Sequence, residues 1–387
     1  MGNMIKLLEG LVKSNSYYDL INNEIDNIAN DITSGYDLKF IKKKYDYKNI
    51  DLLYEFAHYR ILNAHKFSKS SRLFFDKYAS MYSTPEIIGD YRGEKLKGSE
   101  IIDIGSGAGM QAIFFSKYSH VTGIEIDRVR YLLSLLNKRA YNSDANFINN
   151  DAFNDIRYSA DIIFSDPLRP AMASERKMDD LIPNPEIIMK RFNPNAGFVF
   201  DLPPQMRWEN IGINGEREYI SVNGYISRLT LYTMNPEKDF TSAVMLPERR
   251  RITGKPEEIK IVNQNNKIYD YLYLPDISLI YSKLLYKAID DNMHLIYHDK
   301  KRLLFTSNEY IKNFFGRTYI LEARSSIEKL KNELIKLNAG KIFFIFSIDT
   351  SEYYRLKNEM EKHLNGDKTY YIFKNNNCYL IARKING

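Results

Sequence analysis

The chain has 387 residues, of which 44% are hydrophobic and 27% charged, as is usual for a globular protein of two or three domains. No apolar run approaches the roughly 20 residues of a membrane span and the N-terminus lacks a signal-peptide core, so we expect a cytoplasmic protein. The single cysteine, Cys378, excludes a disulfide framework, and the histidines lack partners at ligand spacing, so we expect no metal. The net charge of +6 is weak support for a polyanionic partner.

Residues 1–80 have the pattern of helices. The segments 5–11 and 52–62 place apolar residues three and four positions apart, which is the helical period. We therefore expect an N-terminal helical region over residues 1–80.

From Thr84 onward, short apolar runs alternate with helical stretches. Such an alternation predicts an α/β domain with a mainly parallel sheet and helices on both faces, which we assign to residues 81–255. Near its end, Asn223-Gly224 is a hairpin-turn pair between two further strands. The four leading strands are expected at Glu100–Ile104, His120–Ile126, Asp161–Phe164 and Gly197–Leu202.

Residues 256–387 alternate again and predict a compact α+β domain. This stretch holds 21 Lys and Arg against 16 Asp and Glu, so most of the net charge lies in the C-terminal third. Strands are expected at 268–274, 294–297, 302–305, 341–348, 369–373 and 378–383, with helices at 325–337 and 352–364.

A glycine-rich loop is the most informative segment. The apolar strand 101–104 contains Asp103 and runs into Gly105-Ser106-Gly107-Ala108-Gly109, which opens onto a helix. Dinucleotide-binding folds use the spacing G-x-G-x-x-G, but here the third glycine comes one residue earlier. A carboxylate beside the loop also suits an ammonium group better than a pyrophosphate, which it would repel. The pattern resembles motif I of class I S-adenosylmethionine (SAM) methyltransferases, in which the loop wraps the methionine moiety.

The next two strand ends agree with that resemblance. Glu125 ends a strand, where a carboxylate can accept hydrogen bonds from both ribose hydroxyls of an adenosine. Ile126 would then pack on the adenine face. Asp151 and Ala152 resemble the adenine-edge motif of the family, in which the carboxylate and a backbone N–H bind the base. These features favour SAM as the cofactor over a nicotinamide dinucleotide.

Asp166-Pro167 follows the fourth strand, where methyltransferases of this class carry motif IV. Amine-methylating relatives usually have Asn, Asp or Ser followed by Pro-Pro and an aromatic residue, whereas this chain has Leu168 and Arg169 after the first proline. Asp166 and Pro167 are candidates for binding an amine, and Arg169 for contacting a phosphate or a base. Cys378 lies far from this motif in sequence, which argues against methylation of a pyrimidine carbon through a cysteine adduct.

Four further segments of the chain carry a second resemblance: Tyr82–Glu86 with Tyr91-Arg92, Asp166-Pro167-Leu168-Arg169, Glu218–Gly224 and Tyr271–Asp276. With them the chain is similar, from about residue 80 to its end, to class I methyltransferases with a THUMP-like C-terminal domain. That resemblance implies a seven-stranded Rossmann-like sheet, a C-terminal α+β THUMP-like domain and, because true THUMP domains bind RNA, an RNA substrate.

Two functions of different classes remain open from the sequence. The first is a SAM-dependent methyltransferase that acts on a nucleobase nitrogen of tRNA or rRNA. The second is a SAM-binding RNA adaptor without catalysis, which the atypical residues after Pro167 would suit. A small-molecule methyltransferase comes third, because a basic C-terminal domain is more than it needs. The sequence leaves the oligomeric state open.

Overall fold

The computed structural model of the protein describes residues 2–154, 160–168, 177–193, 195–258, 267–299 and 302–385. The chain forms two compact units. The first contains residues Met1–Glu216 and Arg228–Asp239, and the second contains Arg217–Ser227 and Phe240–Gly387. The domain boundaries expected near residues 80 and 255 remain predictions. No helix among the described residues is both long and apolar enough to cross a membrane.

The first unit begins with helices, as the sequence predicted. Leu8, Leu11, Ile25, Ile28 and Phe56 project from three of them into a shared, almost fully buried core. This burial, rather than helix propensity, supplies most of the stability of such short helices. The helices are α1 (Gly2–Lys13), α2 (Asn15–Thr33), α3 (Leu38–Lys44), α4 (Ile50–Leu62), α5 (Lys77–Tyr82) and α6 (Glu86–Lys95), with a 3₁₀ turn at Ser70–Arg72.

The rest of the first unit is a mostly parallel sheet with helices between its strands. The strand order is β3-β2-β1-β4-β5-β7; the neighbours from β3 to β5 are parallel, and β7 is antiparallel to β5. The expected parallel α/β sheet is therefore confirmed. The elements are β1 (Glu100–Ile104), α7 (Met110–Phe115), β2 (His120–Glu125), α8 (Arg128–Tyr141), β3 (Asn146–Asn149), β4 (Ile162–Ser165), α9 (Pro185–Arg191), β5 (Gly197–Leu202) and β7 (Tyr225–Tyr232).

One buried side chain joins the helical region to the glycine loop. Asn137 of α8 accepts a hydrogen bond from the backbone N–H of Phe74 at 2.8 Å and donates to the carbonyl oxygens of Phe74 and Ala108 at 3.1 and 3.0 Å. Asn137 is fully buried, so these bonds replace those it would make with water. The N-terminal region thereby helps to position the loop after β1.

The second unit is largely antiparallel. Its larger sheet has the order β11-β12-β10-β13-β16-β15-β14, in which only β14 and β15 are parallel. The expected pairing of the strands near 294 and 303 is confirmed. The elements are β6 (Glu216–Val222), β8 (Phe240–Leu246), β9 (Arg250–Gly254), β10 (Tyr271–Pro275), α10 (Ile277–Tyr281), β11 (His294–His298), β12 (Leu303–Ser307), β13 (Gly316–Ser325), α11 (Ile327–Lys336), β14 (Ala339–Phe344), α12 (Thr350–Glu361), β15 (Lys368–Asn375) and β16 (Cys378–Lys384).

The structure differs from the expected seven-stranded sheet in how it groups the strands. Six strands lie in the first unit, whereas almost all of β6 is grouped with β8 and β9 in the second. The physical reason is that β6 is hydrogen-bonded to β8, and β8 packs its side chains Ala243 and Met245 into the core of the second unit.

Candidate functional site

The glycine loop follows β1 directly and turns through three left-handed residues. Gly105, Gly107 and Gly109 have φ values of +71°, +57° and +82°, a region that L side chains rarely adopt. A Cβ at Gly109 would lie 2.7 Å from Phe147 and 2.7 Å from Ser134, so this glycine is needed for packing. At Gly105 and Gly107 a Cβ would meet no described atom within 4 Å. The loop therefore borders open space at two of its glycines.

Glu125 lies at the end of β2 and holds the loop. Its carboxylate accepts a hydrogen bond from the backbone N–H of Gly107 at 2.7 Å and another from Asp127 at 2.8 Å. The side chain is only 5% exposed. Each carboxylate oxygen has a second lone pair, so Glu125 can accept further hydrogen bonds while keeping these two.

Asp103 is the unsatisfied acid of the site. It is 2% exposed, and no described residue offers a hydrogen bond to its buried Oδ2 atom. Burial raises the pKa of Asp103 well above 3.8, and the negative charges of Asp166, Glu125 and Asp201 raise it further. A buried carboxylate without a partner is costly, and a cation beside it would remove that cost.

A buried arginine lies close to these acids. Arg92 of α6 donates to Asp201 at the end of β5, to Thr230 of β7 at 2.7 Å and to the Oε1 atom of Gln111 at 3.0 Å. Arg92 and Asp201 have no exposed side-chain surface. Burial opposes the charge of Arg92, but the carboxylate of Asp201 outweighs it, so the pKa of Arg92 is raised.

Two further buried polar atoms of the loop segment have no hydrogen-bond partner among the described residues. They are the Oγ atom of Ser106 and the Nε2 atom of Gln111. Sequence reasoning proposed Ser106 but overlooked Gln111, the second residue of α7. The available signal was a long amide side chain in an otherwise apolar helix directly after the glycines.

The residues expected to bind adenine come together at the ends of β2 and β3. Ile126 is 69% exposed, an unusual state for an apolar residue beside a sheet. The amide of Asn149 donates to the carbonyl oxygens of Glu125 and Ile126 at 2.8 and 3.1 Å, which holds the two strand ends together. Asp151 accepts a hydrogen bond from the N–H of Phe153 at 2.9 Å, and Ala152 is buried.

Asp166 and Pro167 directly follow β4, which lies next to β1. Asp166 is half-buried, and its charge raises the pKa of Asp103, so the two carboxyl groups face the same region. Pro167 is buried, and Leu168 exchanges two backbone hydrogen bonds with Ile182 at 2.7 and 3.1 Å. Arg169 lies outside the described residues. Among the residues that are described, no group of three or more His, Cys, Asp or Glu could hold a metal ion.

Comparisons with known proteins agree with the fold. No protein-family model matches the chain, and no curated protein matches its sequence. A crystal structure described as a candidate methyltransferase from Porphyromonas gingivalis W83 matches 94% of this chain and 99% of that chain, with a TM-score of 0.68 and 16% identity. A methyltransferase from Pyrococcus furiosus matches 45% of this chain and 94% of that chain, with a TM-score of 0.35 and 18% identity.

The likeness to the Porphyromonas gingivalis structure extends over nearly the whole of both chains, but an identity of 16% bears on the fold alone. The chain therefore has the fold of that structure, a mixed α/β fold with N-terminal helices, a mostly parallel Rossmann-like sheet and a second, largely antiparallel domain.

Proposed function

We propose that the protein is a SAM-dependent methyltransferase that acts on a nucleobase nitrogen of RNA. The observation that carries the proposal is the buried, unpartnered Oδ2 atom of Asp103 beside the open positions of Gly105 and Gly107. A ligand with an ammonium group and a body that lies against the glycines would satisfy both features. SAM has such an ammonium group on its methionine end.

The donors and acceptors of the site suit the two ends of SAM. At the methionine end, Asp103 can accept from the ammonium group, and the unpaired Nε2 of Gln111 and Oγ of Ser106 can donate to the carboxylate. At the adenosine end, Glu125 can accept from the ribose hydroxyls, and the exposed Ile126 can pack on adenine. Asp151 and Ala152 can bind the edge of the base.

The chemistry divides simply between cofactor and protein. When bound, SAM supplies an electrophilic methyl group on a positively charged sulfur. The chain's own residues orient the acceptor and place charge around it. Holding the acceptor in position beside the methyl group lowers the activation barrier of the transfer. The carboxylates of Glu125, Asp166 and Asp201 make the region around Asp103 negative, with Arg92 as the fully buried cation among them. That field favours a cationic ligand.

Asp166 is the residue that we assign to the acceptor. Its place at the end of β4 puts it on the same sheet edge as the glycine loop, because β1 and β4 are parallel neighbours. There its carboxylate can accept a hydrogen bond from an amine or amide nitrogen and orient the nitrogen lone pair. Pro167 stiffens the chain at this point, and Arg169 is proposed to contact a phosphate or a base of the acceptor.

RNA as the acceptor rests on the resemblance of the C-terminal third to THUMP-like domains and on its excess of basic residues. Phosphate contacts from Lys and Arg would make binding weaken steeply with salt. The alternative is a SAM-binding RNA adaptor without catalysis. It is favoured by one observation: Leu168 and Arg169 stand where amine-methylating relatives have a second proline and an aromatic residue.

The deciding experiment follows transfer of labelled methyl groups from SAM to RNA from a strain that lacks this gene. We expect transfer with the wild-type protein and none with Asp166→Ala, while calorimetry shows unchanged SAM affinity in that variant. Asp144→Ala, an exposed acid before β3, is the matched control and should remain active. SAM and RNA binding without any transfer would favour the adaptor. A loss of activity that only tracks a loss of SAM affinity would make Asp166 a cofactor residue.

A further inference from the structure

The second unit contains a cavity that the proposed methyl transfer does not use. Its volume is about 450 Å³, and it lies between β9, residues 287–290 and residues 311–315. Sites for small molecules typically measure about 300–1,000 Å³. Its lining includes three partly exposed apolar side chains, Ile252, Ile289 and Ile311. The cavity can therefore hold an organic group of nucleotide size.

Arg250 brings a fixed positive charge to this cavity. It donates to the carbonyl oxygen of Phe314 at 2.6 Å and to that of Asn313, and its guanidinium carbon lies 5.1 Å from the ring centroid of Phe315. These partners are neutral. No carboxylate of the described residues lies within ion-pair distance of Arg250, so its charge remains available to an anion.

Lys287 supplies a second cation. It ends the 3₁₀ turn Leu285–Lys287 and is exposed, and its ammonium group forms no hydrogen bond or ion pair with any described residue. A Cβ at Gly254 would lie 2.6 Å from the Cε atom of Lys287 and 3.1 Å from its Nζ atom. The lysine side chain therefore lies against the last residue of β9. Gly254 thus leaves the space that this side chain needs.

The remaining charges of the lining are partly compensated. Arg251 lies 3.5 Å from the buried carboxylate of Glu218 and donates to Ser242 at 3.1 Å. Asp290 is the acidic residue of the lining, and its side chain accepts a hydrogen bond from the N–H of Asn292 at 3.0 Å. The balance of charge in the lining is therefore positive, and the lining also holds the three isoleucines.

We propose that this cavity binds one nucleotide of the RNA acceptor, with its phosphate at Arg250 and Lys287 and its base against Ile252, Ile289 and Ile311. Phosphate is the anion that a fixed guanidinium and an adjacent ammonium bind well, and every base has an apolar face. The proposal rests on the proposed function in one respect: that function names RNA as the source of the nucleotide. A free nucleotide has the same chemistry, so the experiment must separate the two sources.

The test titrates the full-length protein with uridine 5′-monophosphate, with inorganic phosphate and with a short fluorescein-labelled oligouridine. Saturating S-adenosylhomocysteine keeps the nucleotides out of the SAM site. The variants are Lys287→Glu, which reverses one charge, and Gly254→Ala, whose methyl group crowds the lysine and the hydroxyl of Tyr286 without changing any charge. Lys329→Glu, an exposed lysine of α11, is the control of equal charge. Thermal melts establish that each variant is folded.

We expect uridine 5′-monophosphate to bind more tightly than inorganic phosphate. Both uridine 5′-monophosphate and oligouridine should bind about tenfold more weakly to Lys287→Glu, about threefold more weakly to Gly254→Ala, and within about twofold of wild type to Lys329→Glu. Absence of saturable nucleotide binding, or equal losses in Lys287→Glu and Lys329→Glu, would overturn the proposal. Loss of the mononucleotide with unchanged oligouridine binding would assign the cavity to a free nucleotide and overturn the RNA assignment. Absent methyl transfer with intact nucleotide binding would count against the proposed function alone.

Discussion

Arg92 and Asp201 form an ion pair in which neither side chain has any exposed surface, although 109 residues separate them in the chain. The pair joins helix α6 to the end of β5, and Arg92 also donates to Gln111 at the start of the helix behind the glycine loop. The guanidinium group of Arg92 thus connects helix α6 both to the end of β5 and to the helix that follows the glycine loop.

Breaking this pair should destabilise the protein strongly. Arg92→Met would leave the carboxylate of Asp201 buried with a weaker set of partners, which typically costs about 3–5 kcal/mol in the free energy of unfolding. Urea denaturation followed by circular dichroism measures the change. Lys336→Met, which removes an exposed pair with Glu333, is the control and should cost less than about 1 kcal/mol. Similar values for the two variants would show that the buried pair is not a major source of stability.

The glycines of the loop should separate into packing and ligand positions. Gly109→Ala places a methyl group 2.7 Å from Phe147 and Ser134, so we expect a loss of about 2–4 kcal/mol in unfolding free energy. Gly107→Ala meets open space and should cost only the roughly 1 kcal/mol of a left-handed alanine, but it should weaken SAM binding. Denaturation and calorimetry on both proteins test this contrast. An equal loss of stability in the two variants would contradict it.

We expect SAM affinity to depend on both the negative charge and the acceptor atoms of the Glu125 side chain. Glu125→Ala removes the acceptor for the ribose and for the N–H of Gly107, and we expect a loss of about 2–4 kcal/mol in binding free energy by calorimetry. Glu125→Gln keeps one carbonyl acceptor and should lose less. Glu100→Ala, at the exposed start of β1, serves as the control. Unchanged SAM affinity in Glu125→Ala would remove the ribose assignment.

We expect the free energy of unfolding of the protein without SAM to fall as the pH rises, because Asp103 loses its proton. Its pKa is raised in the folded state, so the folded protein holds this proton at pH values at which the unfolded chain has lost it. Protonation of Asp103 therefore contributes fully to the free energy of unfolding below about pH 4, and this contribution is lost as the pH rises through the raised pKa. Asp103→Asn should therefore have a smaller decline in unfolding free energy between pH 5 and pH 8, as urea titrations at several pH values would measure. Parallel pH profiles for the two proteins would contradict the assignment.

Local sequence was sufficient where the determinants lie within a few residues. The left-handed turn Asn223-Gly224, with φ values of +54° and +81°, and the three left-handed glycines after β1 follow from backbone sterics alone. The parallel order of the sheet strands follows from their alternation with helices, because a parallel pair needs a crossover connection. These features predicted the fold and the position of the loop.

Only the tertiary structure decided features that depend on distant residues. Strand β13 is central in its sheet, yet the sequence did not predict it: a register shift between Leu321 and Ala323 interrupts its alternation, and much of it is partly exposed. The grouping of β6 with the second unit and the pairing of Arg92 with Asp201 likewise join segments far apart in the chain. Periodicity records which side of an element is buried, whereas the partner that buries it is chosen by packing and charge in the folded chain.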